Sequence, residues 1–445
     1  MKRFLLYFFF LLHIGPLRAQ LWHFPHDKKV VIPFDFVDNL ILLSVKLNGE
    51  PLSFLLDNGV KETLLFGQVD SVFLKNTSAV TFQGFGIGRP IQGMVSLRNK
   101  LEVGTLIDSV HHLYVITDTS FNLSRNIGIP IHGILGSLFF RSNVVAIDYI
   151  KKKITVAHSA SDLGLKVDKY DSFPLILEND RVYTQAHIET KEKRFENQKL
   201  LLDLGNSNPM MLFQRQLSHY VISPPYIREY LGMGFNGAVF GYKNRIKSLR
   251  WAKYVVEYPI VAYPDSNSYD PVKISKNRVG SIGNQILSRF HVILDYPNQR
   301  IYLRVNKNFH KPYVVDMSGL EIVHDGFEFV RHRMLYQDMG ENERMEGRTI
   351  VFSTQVNYLI ELHATYIVNQ VRPNSPAEQA GIQIGDQILK INGRMVGKMK
   401  LQDIKAKLQS GEGKRIKMQI RRGDKELNIS FELEDPLSLQ TYKGV

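Results

Sequence analysis

The chain of 445 residues contains no cysteine. A disulfide framework, a thiolate nucleophile and a thiolate-bound metal are therefore excluded. A cysteine for lipid attachment after an export leader is missing too. This composition fits an exported protein that avoids mispaired thiols. Other signatures are also absent. No Gly-x-Ser-x-Gly elbow is present for a serine mechanism. His111, His112, His132 and His291 stand in apolar or strand-like runs without the helical spacing of metal ligands, so no metal and no cofactor is expected. The glycine-rich stretches lack the strand-glycine-helix context of a phosphate cradle. Net charge is +13, which raises nucleic acid or a membrane surface as partners. The basic residues are spread along the chain rather than gathered on one helix, so no nucleic-acid partner is expected.

The N-terminus reads as an export leader over residues 1–19. Lys2 and Arg3 precede an apolar run from Phe4 to Ile14, and Leu17-Arg18-Ala19 ends on a small residue before Gln20. The run is shorter than the roughly 20 residues a bilayer span needs, and no second run of that length follows. The expected protein is exported, periplasmic or secreted, with no transmembrane anchor.

The length allows two to four domains, and 44% apolar residues allow sizeable cores. Residues 29–157 and 168–306 read as short β-rich runs separated by turn signals such as Asn48-Gly49. Long helical periodicity is scarce in both. Residues 307–345 read as a connector whose most polar part is Asp338 to Arg344. Residues 346–435 have a different character. Thr365 to Val371 reads as a strand, Met399 to Leu408 has helical spacing, and two strand-like runs flank Arg422-Gly423-Asp424. That tripeptide reads as a hairpin turn rather than an adhesion signal.

One pattern occurs twice. Phe54-Leu55-Leu56-Asp57-Asn58-Gly59 and Leu200-Leu201-Leu202-Asp203-Leu204-Gly205 each run an apolar strand into Asp-x-Gly. Gly133-Ile134-Leu135-Gly136 lies downstream of the first, and Gly280-Ser281-Ile282-Gly283 downstream of the second. The spacing from aspartate to last glycine is 79 residues in one half and 80 in the other. Val145-Ala146-Ile147-Asp148-Tyr149 and Val292-Ile293-Leu294-Asp295-Tyr296 follow in register. A single Asp-x-Gly is an ordinary turn. Two in register with two further landmarks indicate a duplication that presents one carboxylate per half.

Two carboxylates brought together share one proton. The charged member can take a proton from water while the neutral member donates to a peptide carbonyl. The glycine after each Asp-x allows a tight turn and close approach to the other half.

On these motifs residues 29–306 resemble the bilobal, retropepsin-like aspartyl proteases of exported bacterial proteins. Residues 346–435 resemble a PDZ domain through Ser375-Pro376-Ala377-x-x-Ala380-Gly381 and Gly385-Asp386-x-Ile388-Leu389-x-Ile391-Asn392-Gly393. The resemblance implies a mostly β fold: two duplicated β-barrel lobes, 29–157 and 168–306, then an α+β PDZ domain. It implies Asp57 and Asp203 as the catalytic pair of an aspartic endopeptidase acting on a polypeptide. Gly59 and Gly205 would shape the active loops, with Leu135, Gly136, Ile282 and Gly283 packing beside them. Asp148 and Asp295 would be structural residues at strand ends.

The family has threonine or serine between aspartate and glycine, and here Asn58 and Leu204 stand there. Asn58 can donate and accept, whereas the Leu204 side chain can do neither. A degenerate scaffold that binds peptides without cutting them is therefore the alternative. Two glycine-rich stretches, Gly84-Phe85-Gly86 and Gly232-Met233-Gly234, are flap candidates. The PDZ-like part is expected to bind a peptide, such as a C-terminal one, by strand addition. The strand before Asn374 and the residues from Tyr358 to His363 are placed beside its groove. The sequence does not place the loop that takes the peptide carboxylate, because the usual Gly-Leu-Gly-Phe pattern is missing.

Overall fold

Alternating side chains set the strands. In Leu40–Leu47 the polar Ser44 and Lys46 face solvent while Val45 and Leu47 are buried. Asn48 (φ +51°) and Gly49 (φ +100°) then turn the chain back into Glu50–Leu56. Positive φ at both central residues is the geometry a two-residue hairpin requires. The computed structural model describes residues 22–24, 28–67, 73–82, 91–118, 122–234, 237–269, 274–335 and 356–443. It is mostly β. The leader 1–19, Asp338 to Arg344, and Gly84, Phe85 and Gly86 lie outside the described residues.

Both halves use one pairing scheme. Glu50–Leu56 pairs in parallel with Gly133–Leu135, which pairs antiparallel with Thr63–Phe66. Thr63–Phe66 pairs in parallel with Leu106–Ile116. In the second half Arg194–Asp203 pairs in parallel with Arg278–Gly283, which pairs antiparallel with Met210–Leu212. Met210–Leu212 in turn pairs in parallel with Ile260–Pro264. Each Asp-x-Gly thus leaves its strand beside the matching Gly-x-x-Gly strand, because both segments are apolar and buried.

The third landmark joins the halves. Val144–Asp148 and Phe290–Asp295 pair antiparallel, with Ala146 opposite Ile293 near the centre. Lys153–Ala157 and Lys29–Pro33 extend this sheet on one side, and Arg300–Val305 and Asp171–Pro174 extend it on the other. Val145, Ile147, Val292 and Leu294 belong to the large core shared by both halves. Val144, Ala146 and Ile293 face the opposite side and pack on Leu163. The period of two in these strands makes a two-sided, fully buried sheet.

A second core underlies the C-terminal part. The strands Leu320–Leu335, Val356–Val371, Gln387–Ile391, Arg415–Arg422 and Lys425–Glu432 form one sheet, with Arg394–Met395 beside Gln387–Ile391. Of the helices α1 (Leu123–Ile127), α2 (Asn284–Leu287), α3 (Pro376–Gln379) and α4 (Leu401–Leu408), the last two accompany it. Ser375 caps α3 by accepting the Glu378 N–H, and Pro376 opens the helix. Arg422 and Lys425 face each other across Gly423-Asp424, so the tripeptide is a turn. The Arg422 guanidinium binds the buried Asp386 through two nitrogens.

Residues 307–345, expected as a connector, contain the Leu320–Leu335 strand, whose Leu320 and Ile322 are in this core. His324-Asp325-Gly326 hides its alternation, and the register shifts there. The edges of the sheet are therefore Leu320–Leu335 and Lys425–Glu432, and the strand before Asn374 lies one place inside the first of them.

The joining sheet predicts one cooperative unit across residues 29–306. Ile147→Ala should cost about 2–5 kcal/mol. Trp22 and Trp251 lie in different halves. Urea unfolding followed in two variants, each keeping one tryptophan, should shift by the same amount. A shift confined to the Trp22 signal would show that the halves unfold independently.

Candidate active site

Asp57 and Asp203 sit at equivalent strand ends on two loops that face each other. A Cβ built on Gly59 would lie 2.8 Å from Oδ1 of Asp203. One built on Gly205 would lie 2.2 Å from Cγ of Asp57. Each glycine thus lies against the aspartate of the other half, and neither place can hold a side chain without moving a carboxylate. Within each loop the glycine N–H donates to its own aspartate, Gly59 to Asp57 at 2.7 Å and Gly205 to Asp203 at 3.1 Å.

The Gly-x-x-Gly steps press on these loops from below. A Cβ on Gly136 would meet the carbonyls of Glu62 and Lys61 at 2.3 and 2.5 Å. One on Gly283 would meet the carbonyl of Asn208 at 2.0 Å. Backbone therefore packs on backbone. Ser137 N–H donates to Val60 in the first half, and Asn284 N–H donates to Asn206 in the second.

Amides brace one loop against the other. Asn58 is fully buried. Its Oδ1 accepts the Leu204 N–H at 2.9 Å, and its Nδ2 donates to the Tyr296 hydroxyl at 3.2 Å. The Leu204 carbonyl accepts Nδ2 of Asn284 at 3.4 Å, and Asn284 Oδ1 accepts the Tyr149 hydroxyl. The Leu204 side chain is buried in the shared core. The second loop is thus held through its backbone and its packing, so it needs no hydroxyl. Sequence reading missed Asn284, Tyr149 and Tyr296. The tyrosines carried a signal, since they end the repeated Ile-Asp-Tyr and Leu-Asp-Tyr elements. Asp148 and Asp295 accept N–H groups of the turns that follow them, from Ile150 and Lys151 and from Asn298.

Burial sets the electrostatics. It pushes the Asp57 carboxyl up to about 7, and the Asp203 charge pushes in the same direction. Burial also raises Asp203, against the nearby positive charges of Arg278 and Arg181. A pair raised in this way holds a proton toward neutral pH. The sequence did not single out either arginine. Arg278 stacks on Phe213 and donates to the Gly280 carbonyl. Nε of Arg181 is buried without a hydrogen-bond partner among the described residues.

The pair opens on a cleft of about 1640 Å³. Gly232, Met233 and Gly234 line it from the hairpin of Tyr226–Gly234 with Gly237–Arg245. Val80 and Thr81 line it from the first half. Arg372, just past the strand Val356–Val371, and Gln402 and Lys405 of α4 line it as well. A second arrangement mimics a nucleophile, base and acid: His111 bonds Asp108 at 2.8 Å and Thr63 at 2.9 Å. All three are at most 2% exposed and none lines the cleft, so this trio is structural. No cluster of metal-ligating side chains occurs among the described residues. No helix among them is long and apolar enough to cross a membrane.

Residues 367–422 match the PDZ domain family. A search of curated proteins finds no match to the chain. PDZ domains bind peptides, and the C-terminal module of this chain is one.

Replacing Asn58 by alanine would strand the Leu204 N–H and the Tyr296 hydroxyl in a buried place. The expected loss of stability in denaturant unfolding is about 1–3 kcal/mol. Asn58→Thr, which keeps one polar group, should lose less. Equal stability of wild type and Asn58→Ala would show that the brace carries no weight.

Proposed function

We propose that the chain is an exported aspartic endopeptidase of the retropepsin-like type, with two duplicated lobes and a PDZ domain that presents peptide to the cleft. The observation that carries this is the meeting of two aspartates, one buried and one half-buried, each from the same loop of a repeated half and each lying against the other's glycine. Export is inferred from the leader in the sequence.

In this reading an extended polypeptide lies in the cleft under the Tyr226–Arg245 hairpin. The charged carboxylate takes a proton from water, and the water oxygen adds to the peptide carbonyl carbon. The neutral carboxyl donates its proton to the carbonyl oxygen. Collapse of the tetrahedral species breaks the C–N bond, and the amine leaves with a proton returned from the pair. One shared proton is enough for both roles, because the two carboxyls exchange them. The buried Asn58 brace favours this reading over a slack, peptide-binding scaffold, which Leu204 alone would have favoured.

Cleavage of an unfolded protein should fall by about 10²–10⁴-fold in Asp57→Asn and in Asp203→Asn. Peptide binding without cleavage by the wild type, from acid to mildly alkaline pH, would leave the scaffold reading standing.

The pH profile supplies a separate check. Activity requires the singly protonated pair, so it should fall as pH rises through about 7, where Asp57 loses its proton. Arg278 holds Asp203 down. Arg278→Gln should therefore raise the pair and carry the alkaline limb to higher pH. A limb that stays in place or moves to lower pH would contradict this assignment.

A further inference from the structure

PDZ domains take peptides beside an exposed sheet edge and close backbone amides around a carboxylate. In this chain both places are already filled. Of the two edge strands the one beside α4 is Leu320–Leu335, which among the described residues pairs on one side only, with Val356–Val371. Helix α1 (Leu123–Ile127) packs on that strand, and α4 lies against both.

The contacts are specific. Gln402 of α4 donates to the Ile127 carbonyl at 2.6 Å. Lys405 donates to the Asn126 carbonyl at 3.1 Å and binds Asp38 at 2.9 Å. It also faces Glu321 on the edge strand at 4.0 Å. Gly128 ends α1 at φ +76°, and a Cβ there would lie 2.7 Å from Cβ of Leu401. A side chain at 128 would push α4 away. On the strand side, Arg125 reaches Asp325 at 3.3 Å.

The amides before the edge strand are occupied too. The N–H groups of Ser318, Gly319 and Leu320 all point at Oδ1 of Asp316, at 2.9, 2.6 and 3.3 Å. The Ser318 hydroxyl donates to the same oxygen at 2.7 Å. Four donors on one carboxylate oxygen form an anion nest, and the anion belongs to the chain itself.

We propose that the ligand of the PDZ groove is this same chain. Residues 125–128 of the first half fill the space between edge strand and α4, and the Asp316 carboxylate fills the nest where a terminal carboxylate would go. The groove is then closed at rest, and a free peptide is taken up and presented to the cleft only after it displaces α1. The inference concerns a contact surface and is independent of whether Asp57 and Asp203 cleave anything.

Amide hydrogen exchange on the intact chain tests it. Residues 125–128 and 318–321 should be protected together in the wild type. Lys405→Glu, which places a carboxylate against Asp38 and Glu321, should speed exchange in both segments at least tenfold. Asp38→Lys should do the same from the other side of the contact while leaving the PDZ sequence intact. Asp316→Ala should speed exchange at 318–320. Fast exchange of both segments in the wild type, or unchanged exchange in Lys405→Glu and Asp38→Lys, would overturn the proposal.

Discussion

Two carboxyl side chains brought together out of easy reach of water are the constraint around which the rest is arranged. Such a pair is costly unless it keeps a proton and its surroundings are held still. The glycines let the loops approach, the Gly-x-x-Gly steps support them on backbone, and Asn58 ties one loop to the other. Two arginines temper the rise caused by burial. Each device answers the same problem, and none makes sense without the other half of the chain.

The joining sheet explains how the tolerance is met. The loops sit at the ends of strands in separate sheets, so their relative position depends on whatever couples the halves. That coupling is the antiparallel pair Val144–Asp148 and Phe290–Asp295. The tyrosines just beyond it reach back toward the Asp-x-Gly loops, Tyr296 to Asn58 and Tyr149 to Asn284, which bonds the Leu204 carbonyl. The same repeated element thus serves as hinge-free joint and as brace. A second-half loop without a hydroxyl is tolerated because its backbone N–H and carbonyl are both engaged.

Much of the site was legible because duplication leaves a periodic trace. Asp57, Asp203 and the glycines beside them stand in register, and their meeting follows from pairing an apolar strand with its partner. Asn284 was not legible, since its role depends on an approach from the other half. The arginines were hidden for a similar reason: Arg181 and Arg278 are 97 residues apart in sequence and near one pair in space. The strand Leu320–Leu335 was missed because a charged, glycine-containing break interrupts its alternation. With that strand unseen, the anion nest ahead of it could not be found, and Ser318-Gly319-Leu320 carries little of the usual glycine signature.

Arg245 gives the architecture a further property. Its guanidinium donates to the carbonyl of Tyr313, before the PDZ domain, and to that of Leu437, after it. Leu437 is itself part of the large core. The domain is consequently strung between two points clasped by one side chain, like an insertion with both ends pinned. Its local concentration at the cleft is fixed by chain closure rather than by affinity. A truncation that removed the tail with the domain would pull a plug from the second half.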